Sequence, residues 1–143
     1  MSATPTAGSI VLLTRLSRTV YKRATEEVLG MRLKAYVMLS NLREGPLPQQ
    51  DLCVSMHMDP NNCVLMLNDL EAAGHVERRR DPTDRRRHIV EITPAGRKAL
   101  VHAERAMESL EDDVLGALSA EEREVLRGLL SRALASEPAA QPA

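Results

Sequence analysis

The sequence predicts a mainly α-helical protein that carries one short, strongly basic β-hairpin. Apolar residues recur at intervals of three and four along most of the chain, which is the spacing of helices that bury one face. Residues 75–92 differ, because branched apolar residues there flank a turn-rich loop and favour two strands. This hairpin holds six of the chain's 19 lysines and arginines. Positive charge is therefore concentrated at one place in the fold.

Length and composition indicate one globular domain. The chain has 143 residues, 43% of them hydrophobic and 27% charged, which suffices for one core but not for a separate catalytic domain. We expect residues 10–135 to form this domain, with a flexible lead over 1–9 and a disordered tail over 136–143. No apolar run approaches the roughly 20 residues of a membrane-spanning helix, and no secretory signal is visible. We therefore expect a cytoplasmic protein that has no membrane partner.

Two helices are predicted before the basic region. The first is long and runs from Ile10 to about Gly30, with its apolar positions at Leu13, Leu16, Val20, Ala24 and Val28. The second covers Arg32–Leu42 and is ended by Glu44-Gly45-Pro46.

A helix-turn-helix is predicted between Pro48 and Ala73. Pro48 suits the first position of a third helix, because its missing N–H would have no helical partner there. His57 occupies the turn, and His is among the residues enriched at positive φ. The following helix, Pro60–Ala73, directs one apolar face towards the core, formed by Cys63, Met66, Leu67 and Leu70.

The opposite face of this helix is the one that we expect to contact DNA bases. Its side chains are short enough to enter a major groove: Asn61, Asn62, Val64, Leu65 and Asn68. The asparagines at the helix start can donate to phosphates or pair with adenine, and the apolar residues suit thymine methyl groups. The helix therefore predicts a preference for A/T base pairs.

The hairpin that follows has a basic tip. Gly74 ends the helix, a basic strand leads to the turn Asp81-Pro82-Thr83-Asp84, and Arg85-Arg86-Arg87 follow the turn. The net charge is only -1, so DNA binding would depend on this local cluster and not on bulk charge. The chain has no Phe or Trp for stacking on single strands, which favours double-stranded DNA as the partner.

Three stretches, Asp59–Val64, Leu70–Arg87 and Thr93–Arg97, closely resemble the recognition helix, wing and following helix of the MarR family of bacterial transcriptional regulators. The most specific parts are residues 80–86 and Thr93-Pro94-Ala95-Gly96. The resemblance implies a winged helix-turn-helix with a two-stranded β-wing over about 32–93. It also implies flanking N- and C-terminal dimerisation helices over about 10–29 and 94–135.

By this resemblance, Arg86 corresponds to the arginine that enters the minor groove, and Arg85 to one that contacts the DNA backbone. Such insertion is favoured by the negative potential of a narrow groove. Asp81 and Asp84 would support the wing by pairing with arginines. The alternative interpretation of the cluster is a solvated hairpin, which the preceding helix-turn-helix disfavours.

The remaining wing arginines and one helix position complete the expected DNA contacts. We include Arg80 and Arg87, although strand alternation must direct some of Arg78, Arg79 and Arg87 away from DNA. Leu65 stands where the family often has Arg, which weighs against a guanine contact at that position.

Two more helices are predicted after the wing. Thr93 and Pro94 suit the N-cap and first position of a helix to about Leu118, and Ser119 with Glu122 forms a capping-box pattern for the last helix. The first and last helices carry more apolar surface than the core needs, which predicts a homodimer, as the resemblance also implies. A two-fold dimer would bind an inverted repeat, with half-sites about 10 bp apart.

The family commonly responds to small aromatic or anionic molecules held between the dimer helices and the DNA-binding lobe. A corresponding effector pocket here could be lined by Arg15, Tyr21, Tyr36 and Met38. The alternative, that the tyrosines and Met38 are ordinary core or interface residues, stays open.

The two cysteines, Cys53 and Cys63, are expected to be buried thiols. A structural disulfide is disfavoured in a cytoplasmic chain, and both residues fall where the helical pattern calls for a small apolar side chain. Oxidation of Cys63 on the recognition helix provides an alternative, a redox-sensing regulator. Cys53 and His57 are too few ligands for a metal site, and we expect no metal or cofactor.

The main functional prediction is therefore a dimeric, sequence-specific transcriptional repressor that a small-molecule effector modulates. An enzyme is not expected, because no nucleophile and base pair, phosphate loop or complete metal site is recognisable. A winged helix that serves as a protein-interaction module is a second alternative. It would not need arginines directed at a DNA groove.

Overall fold

The computed structural model describes residues 8–136, which form seven helices and a three-stranded sheet. In chain order the elements are α1 (Ser9–Arg23), α2 (Glu26–Leu29), α3 (Leu33–Asn41), β1 (Leu47–Pro48), α4 (Gln49–Ser55), α5 (Pro60–Ala72), β2 (Val76–Arg80), β3 (His88–Ile92), α6 (Pro94–Val114) and α7 (Ala120–Ala135). The mainly helical fold with a β-wing is confirmed. Most of the predicted lead and tail lies outside the described residues, and Ser9 belongs to α1.

The core lies between α3, the helix-turn-helix, the sheet and α6. Its largest fully buried side chains come from α2, α3 and the loop after it, α4, α5 and the sheet: Leu29, Met38, Leu39, Leu42, Leu52, Cys63, Leu67, Val76 and Val90. The predicted inner face of α5 is confirmed, since Cys63, Leu67 and Leu70 are buried and Met66 is partly buried. This packing fixes the position of the opposite face of α5.

The single long first helix was a wrong prediction, because the chain breaks at Ala24 and restarts as α2. Thr25 is the N-cap of α2, and its hydroxyl accepts a hydrogen bond from the Val28 N–H at 3.4 Å. A threonine that bonds the backbone in this way favours a new helix start over continuation. Apolar spacing runs across the break, so periodicity alone does not reveal it. Gly30, with a φ of 80°, then ends α2.

The wing has a third strand that the sequence did not predict. β1 pairs antiparallel with β3, Leu47 opposite Val90 and Pro48 opposite Ile89, which gives the strand order β1-β3-β2. Pro48 therefore precedes α4 and does not begin it. A strand of two residues is too short for an alternating pattern to indicate.

The predicted helix starts after the wing are confirmed. The Thr93 hydroxyl accepts from the Gly96 N–H at 3.0 Å, with Pro94 in the first turn. Ser119 and Glu122 form both hydrogen bonds of a capping box. Among residues 8–136, no helix is long and apolar enough to cross a membrane.

Candidate DNA interface

The turn between α4 and α5 has the conformation predicted for it. His57 has a φ of 51°, and the Asp59 side chain caps α5 by accepting from the Asn62 N–H at 3.3 Å. A left-handed residue allows the chain to reverse within four residues. The cap and the turn together set the angle at which the start of α5 leaves the protein.

The expected base-contacting face of α5 is exposed. Leu65 is 60% exposed, and the other four predicted residues of this face are exposed as well: Asn61, Asn62, Val64 and Asn68. A groove of about 870 Å³ runs between α4, the start of α5 and the wing (residues 76–92), and Asn61, Val64, Arg86 and Arg87 line it together. The fold thus brings part of the helix face and part of the wing to one concave surface.

The loop of the wing is held by two aspartates that act differently. Asp84 accepts from the Arg86 N–H at 3.1 Å and from its Nε at 3.4 Å, which agrees with the expected pairing. Asp81 instead accepts from the N–H and hydroxyl of Thr83, at 2.9 and 2.8 Å. These bonds hold the pKa of Asp81 below its ordinary value, and the bond from the Thr83 backbone N–H has the largest effect. The expected pairing of Asp81 with an arginine was therefore wrong, because its short side chain closes a local turn.

The exposed wing arginines differ in how firmly the protein holds them. The Arg86 side chain is 93% exposed, and its only partner within the described residues is Asp84. Arg80 donates to the Arg85 carbonyl at 2.7 Å, which ties it to the wing backbone. Arg79 pairs with Glu91 at 2.6 Å across the strands. Arg86 is thus more available to a ligand than Arg79 or Arg80.

Arg78 contacts the recognition helix, a role that the sequence left undefined. Its Nη2 lies 2.5 Å from Asn68 Oδ1 and 2.8 Å from Glu71 Oε1, and its side chain is only 18% exposed. The hydrogen bond from Arg78 is the main reason why the pKa of Glu71 is lowered. Strand alternation explains the direction, since Arg78 shares a face of β2 with the buried Val76.

Known proteins resemble this chain over most of its length. The model of the MarR family matches residues 29–87. A putative transcriptional regulatory protein for the hcr operon of Thauera aromatica is 36% identical over 126 residues, which cover 87% of this chain and 73% of the relative. The chain belongs to the MarR family of transcriptional regulators. The family consists of regulators and not of enzymes.

Solved structures agree with this assignment of the MarR fold. A probable transcriptional regulator from Pseudomonas aeruginosa superimposes with a TM-score of 0.73 at 31% identity, covering 87% of this chain and 96% of the other. BpsR from Bordetella bronchiseptica, whose DNA binding is regulated by 6-hydroxynicotinic acid, gives a TM-score of 0.79 at 21% identity. That alignment covers 96% of this chain and all of BpsR, and it shows a shared fold.

The cysteines of this MarR-family chain form a disulfide, which corrects the expectation of two thiols. Cys53 in α4 and Cys63 in α5 are ten residues apart in sequence, with Cα atoms 5.8 Å apart. Their approach results from the packing of two separate helices, which spacing along the chain cannot reveal. Cys63 is fully buried, whereas Cys53 is partly exposed and lines the groove beside the wing.

The four residues expected to line an effector pocket are not brought together in this MarR-family fold. Tyr36 lines a cavity of about 470 Å³ between α1, α3, α6 and α7, and burial raises the pKa of its hydroxyl. Met38 is fully buried in the core, so its assignment to the pocket was wrong. Arg15 and Tyr21 are exposed on α1 and do not line the cavity. The sequence missed Arg127 and Met107, which do line it.

Proposed function

We propose that this protein is a sequence-specific DNA-binding repressor that acts as a homodimer on an inverted-repeat operator. The observation that carries the proposal is the groove shared by the start of α5 and the wing, with Asn61 and Val64 on one side and Arg86 and Arg87 on the other. Short polar and apolar side chains suit base edges in the major groove, and an exposed arginine suits a narrow minor groove. Because chromosomal DNA is the proposed partner, we place the protein in the cytoplasm.

The dimer is supported by the apolar surface of α1 and α7. Within residues 8–136, neither helix contributes a buried residue. Their exposed large aliphatic side chains are Ile10, Val11, Leu12, Leu13, Leu16, Val125, Leu129, Leu130 and Leu134. Exposed apolar side chains in this number are typical of an interaction site, and a second copy of the chain would bury them symmetrically. Two recognition helices related by a two-fold axis then require an inverted repeat.

The cavity beside Tyr36 is the proposed effector site. It lies between the terminal helices and the DNA-binding lobe, with apolar walls that include Val20 and Met107 and a neutral Tyr36 hydroxyl. Arg127 also lines it and pairs with Glu111 at 3.9 Å and with Glu124, so an anionic group would compete with these carboxylates. A small aromatic molecule fits this lining. Its binding would change the spacing of the two wings, with a coupling of about 1 to 3 kcal/mol being typical.

Selection of bound duplexes from a random DNA pool tests the proposed function. At near-physiological salt, we expect enrichment of an inverted repeat whose half-site centres are about 10 bp apart. Binding should weaken steeply as salt rises, since phosphate contacts release counterions. Folded protein that enriches no sequence would contradict the proposal and would direct the search to a protein partner.

A redox-sensing regulator is a second candidate, favoured by the Cys53–Cys63 disulfide. Disulfides are rare in the cytoplasm, and those that occur there are usually transient. A dithiol reductant would attack the partly exposed sulfur of Cys53, transfer two electrons and two protons, and leave two cysteine thiols and an oxidised reductant. Loss of the cross-link would free α5 to move relative to α4. We therefore propose that reduction weakens operator binding.

Dithiothreitol titration tests this second function. Operator affinity is measured for the wild type and for the double variant C53A/C63A, with and without the reductant. Reduction should lower the operator affinity of the wild type by about threefold or more, because a recognition helix that can move loses binding free energy of about the size of one hydrogen bond. It should leave the affinity of the double variant unchanged. Equal affinities of the oxidised and reduced wild type would rule out a redox function.

A further inference from the structure

Arg78 sits behind the recognition helix and not in front of it. It pairs across the sheet with Val90, on the face of β2 that packs towards α5, and most of its side chain is withdrawn from solvent. An arginine that served as a DNA contact would present its guanidinium to solvent, as Arg86 does. The guanidinium of Arg78 is instead occupied by two side chains of α5.

The hydrogen bonds that Arg78 donates restrict the orientation of the Asn68 side-chain amide. The Nη2 atom carries two hydrogens, and it lies within bonding distance of two acceptors, Asn68 Oδ1 at 2.5 Å and Glu71 Oε1 at 2.8 Å. Asn68 and Glu71 are three residues apart, so both reach the same flank of α5. The Glu71 carboxylate accepts from the guanidinium and holds it in place. Because a guanidinium has no acceptor atom, it cannot accept a hydrogen bond from the NH2 group of Asn68.

The orientation of the Asn68 amide follows from this arrangement. Arginine is a donor without an acceptor, so only the amide oxygen can face it. The planar amide then directs its NH2 group away from Arg78, and that group has no protein partner among residues 8–136. Asn68 shares a helix face with Asn61 and Leu65, which is the exposed face of α5. The donor end of the amide is therefore the end available to DNA.

We infer that Arg78 is a positioning residue that sets base specificity, because it holds Asn68 as a hydrogen-bond donor towards the major groove. This inference rests on the proposed DNA-binding function. A free asparagine reads adenine by accepting from N6 and donating to N7, and this pairing needs the amide oxygen. With that oxygen engaged, Asn68 can only donate, which favours guanine O6 and N7 or thymine O4 over adenine, whose N6 donor would have no acceptor in the amide.

Substitution of Arg78 by Met provides the direct test. Met retains much of the length and apolar volume of Arg but donates no hydrogen bond, so R78M releases the Asn68 amide. R79M is the matched control, because it removes the same charge from the neighbouring position of β2, where the side chain pairs with Glu91 and not with α5. The readout is the base preference at each operator position, obtained by selection from a random duplex pool.

The operator position read by Asn68 is identified with N68A, which should lose the preference at one position of each half-site. At that position R78M should reduce the preference for guanine or thymine over adenine by about threefold to tenfold, as the net value of one hydrogen bond implies. Preferences elsewhere in the site should persist. R79M should retain the wild-type profile throughout.

N68D keeps the inference testable if R78M fails to fold. An aspartate retains the acceptor oxygen for Arg78 but lacks the NH2 donor, so it should fold normally and lose the preference at the same position. A wild-type profile from R78M or from N68D would overturn the inference, as would an N68A profile that loses no position. Failure of the wild type to enrich any sequence would instead contradict the DNA-binding function itself.

Discussion

The DNA-binding lobe and the terminal helices differ in how completely they are packed. The lobe, formed by residues 29–93, buries the fully buried leucines of α3, α4 and α5 together with Val76 and Val90 of the sheet. Within the described chain, α1 and α7 bury no residue, although both are rich in apolar side chains. One region is packed within a single chain, whereas the other leaves its apolar side chains exposed, as the proposed dimer requires. The two regions should therefore respond differently to the same kind of substitution.

The largest expected effect comes from a charge on the terminal helices. Leu129 in α7 is 54% exposed, and L129E should prevent dimerisation, since burying an unpaired carboxylate costs several kcal/mol, or roughly 100-fold or more in affinity. Sedimentation velocity measures the change. V37E, at a 41% exposed position of α3 in the lobe, is the control and should remain dimeric. An L129E variant that sediments as a dimer would remove α7 from the interface.

A substitution in the wing should weaken DNA binding and leave dimerisation unchanged, which is the opposite of the effect expected for L129E. R86A should weaken operator binding by about 1 to 3 kcal/mol, because it removes the exposed groove-directed side chain, and it should leave dimerisation and unfolding unchanged. Fluorescence anisotropy with a labelled operator measures the affinity. R79A is the matched control and should change the affinity by less than about 0.5 kcal/mol, as is usual for surface substitutions. Unchanged binding by R86A would show that another wing residue makes the main contact.

Two variants, each lacking one helix cap, allow the contributions of the two regions to stability to be compared. The Thr93 hydroxyl accepts from Gly96 N–H and donates to the Gly74 carbonyl, so it joins the end of α5 to the start of α6. T93A should lower the free energy of unfolding by about 1 to 2 kcal/mol. S119A removes the cap of α7 and should mainly increase hydrogen exchange within α7. If T93A and S119A lose equal free energies of unfolding in urea, the division into two regions is contradicted.

The smallest expected effect is a pH dependence of stability that comes from the ion pair of Glu71 with Arg78. The pKa of Glu71 is lowered in the folded protein, so the folded state binds this proton less readily than the unfolded chain does. The contribution of Glu71 is present above its ordinary pKa of 4.5 and is lost as the pH falls through the folded-state value. E71Q should therefore lose less stability than the wild type on acidification. Parallel urea unfolding curves of the two proteins measure the difference, and an equal loss would contradict it.

Local chemistry made much of this fold predictable. Caps at Thr93 and Ser119 and the turn at His57 depend on residues within four positions of one another, and the structure contains each of them. The apolar face of α5 was predictable for the same reason, because helical periodicity relates neighbours along the chain. The wing followed from its turn residues. These features also sufficed to identify an arginine of the predicted DNA interface whose side chain is 93% exposed, Arg86.

Two errors are local, the helix break at Thr25 and the bonds of Asp81 to Thr83, and the others involve residues that meet only through packing. Nothing in the spacing of Cys53 and Cys63 indicates that α4 and α5 bring their Cα atoms within 5.8 Å. Likewise, β1 exists because the chain before α4 passes beside β3, and Met38 is buried because α3 turns it towards the core.

By itself, the sequence determined the helix starts after the wing, the positive φ at His57 and the location of the positive charge, since each depends on short-range backbone and side-chain preferences. Only the tertiary structure decided which arginine supports the recognition helix and which stays exposed in the wing. Arg78 and Arg86 are the same residue type in the same hairpin. One is directed by strand alternation against α5 and is bonded there, and the other lies beyond the turn, where α5 does not reach. That difference depends on contacts between elements, and no local pattern records it.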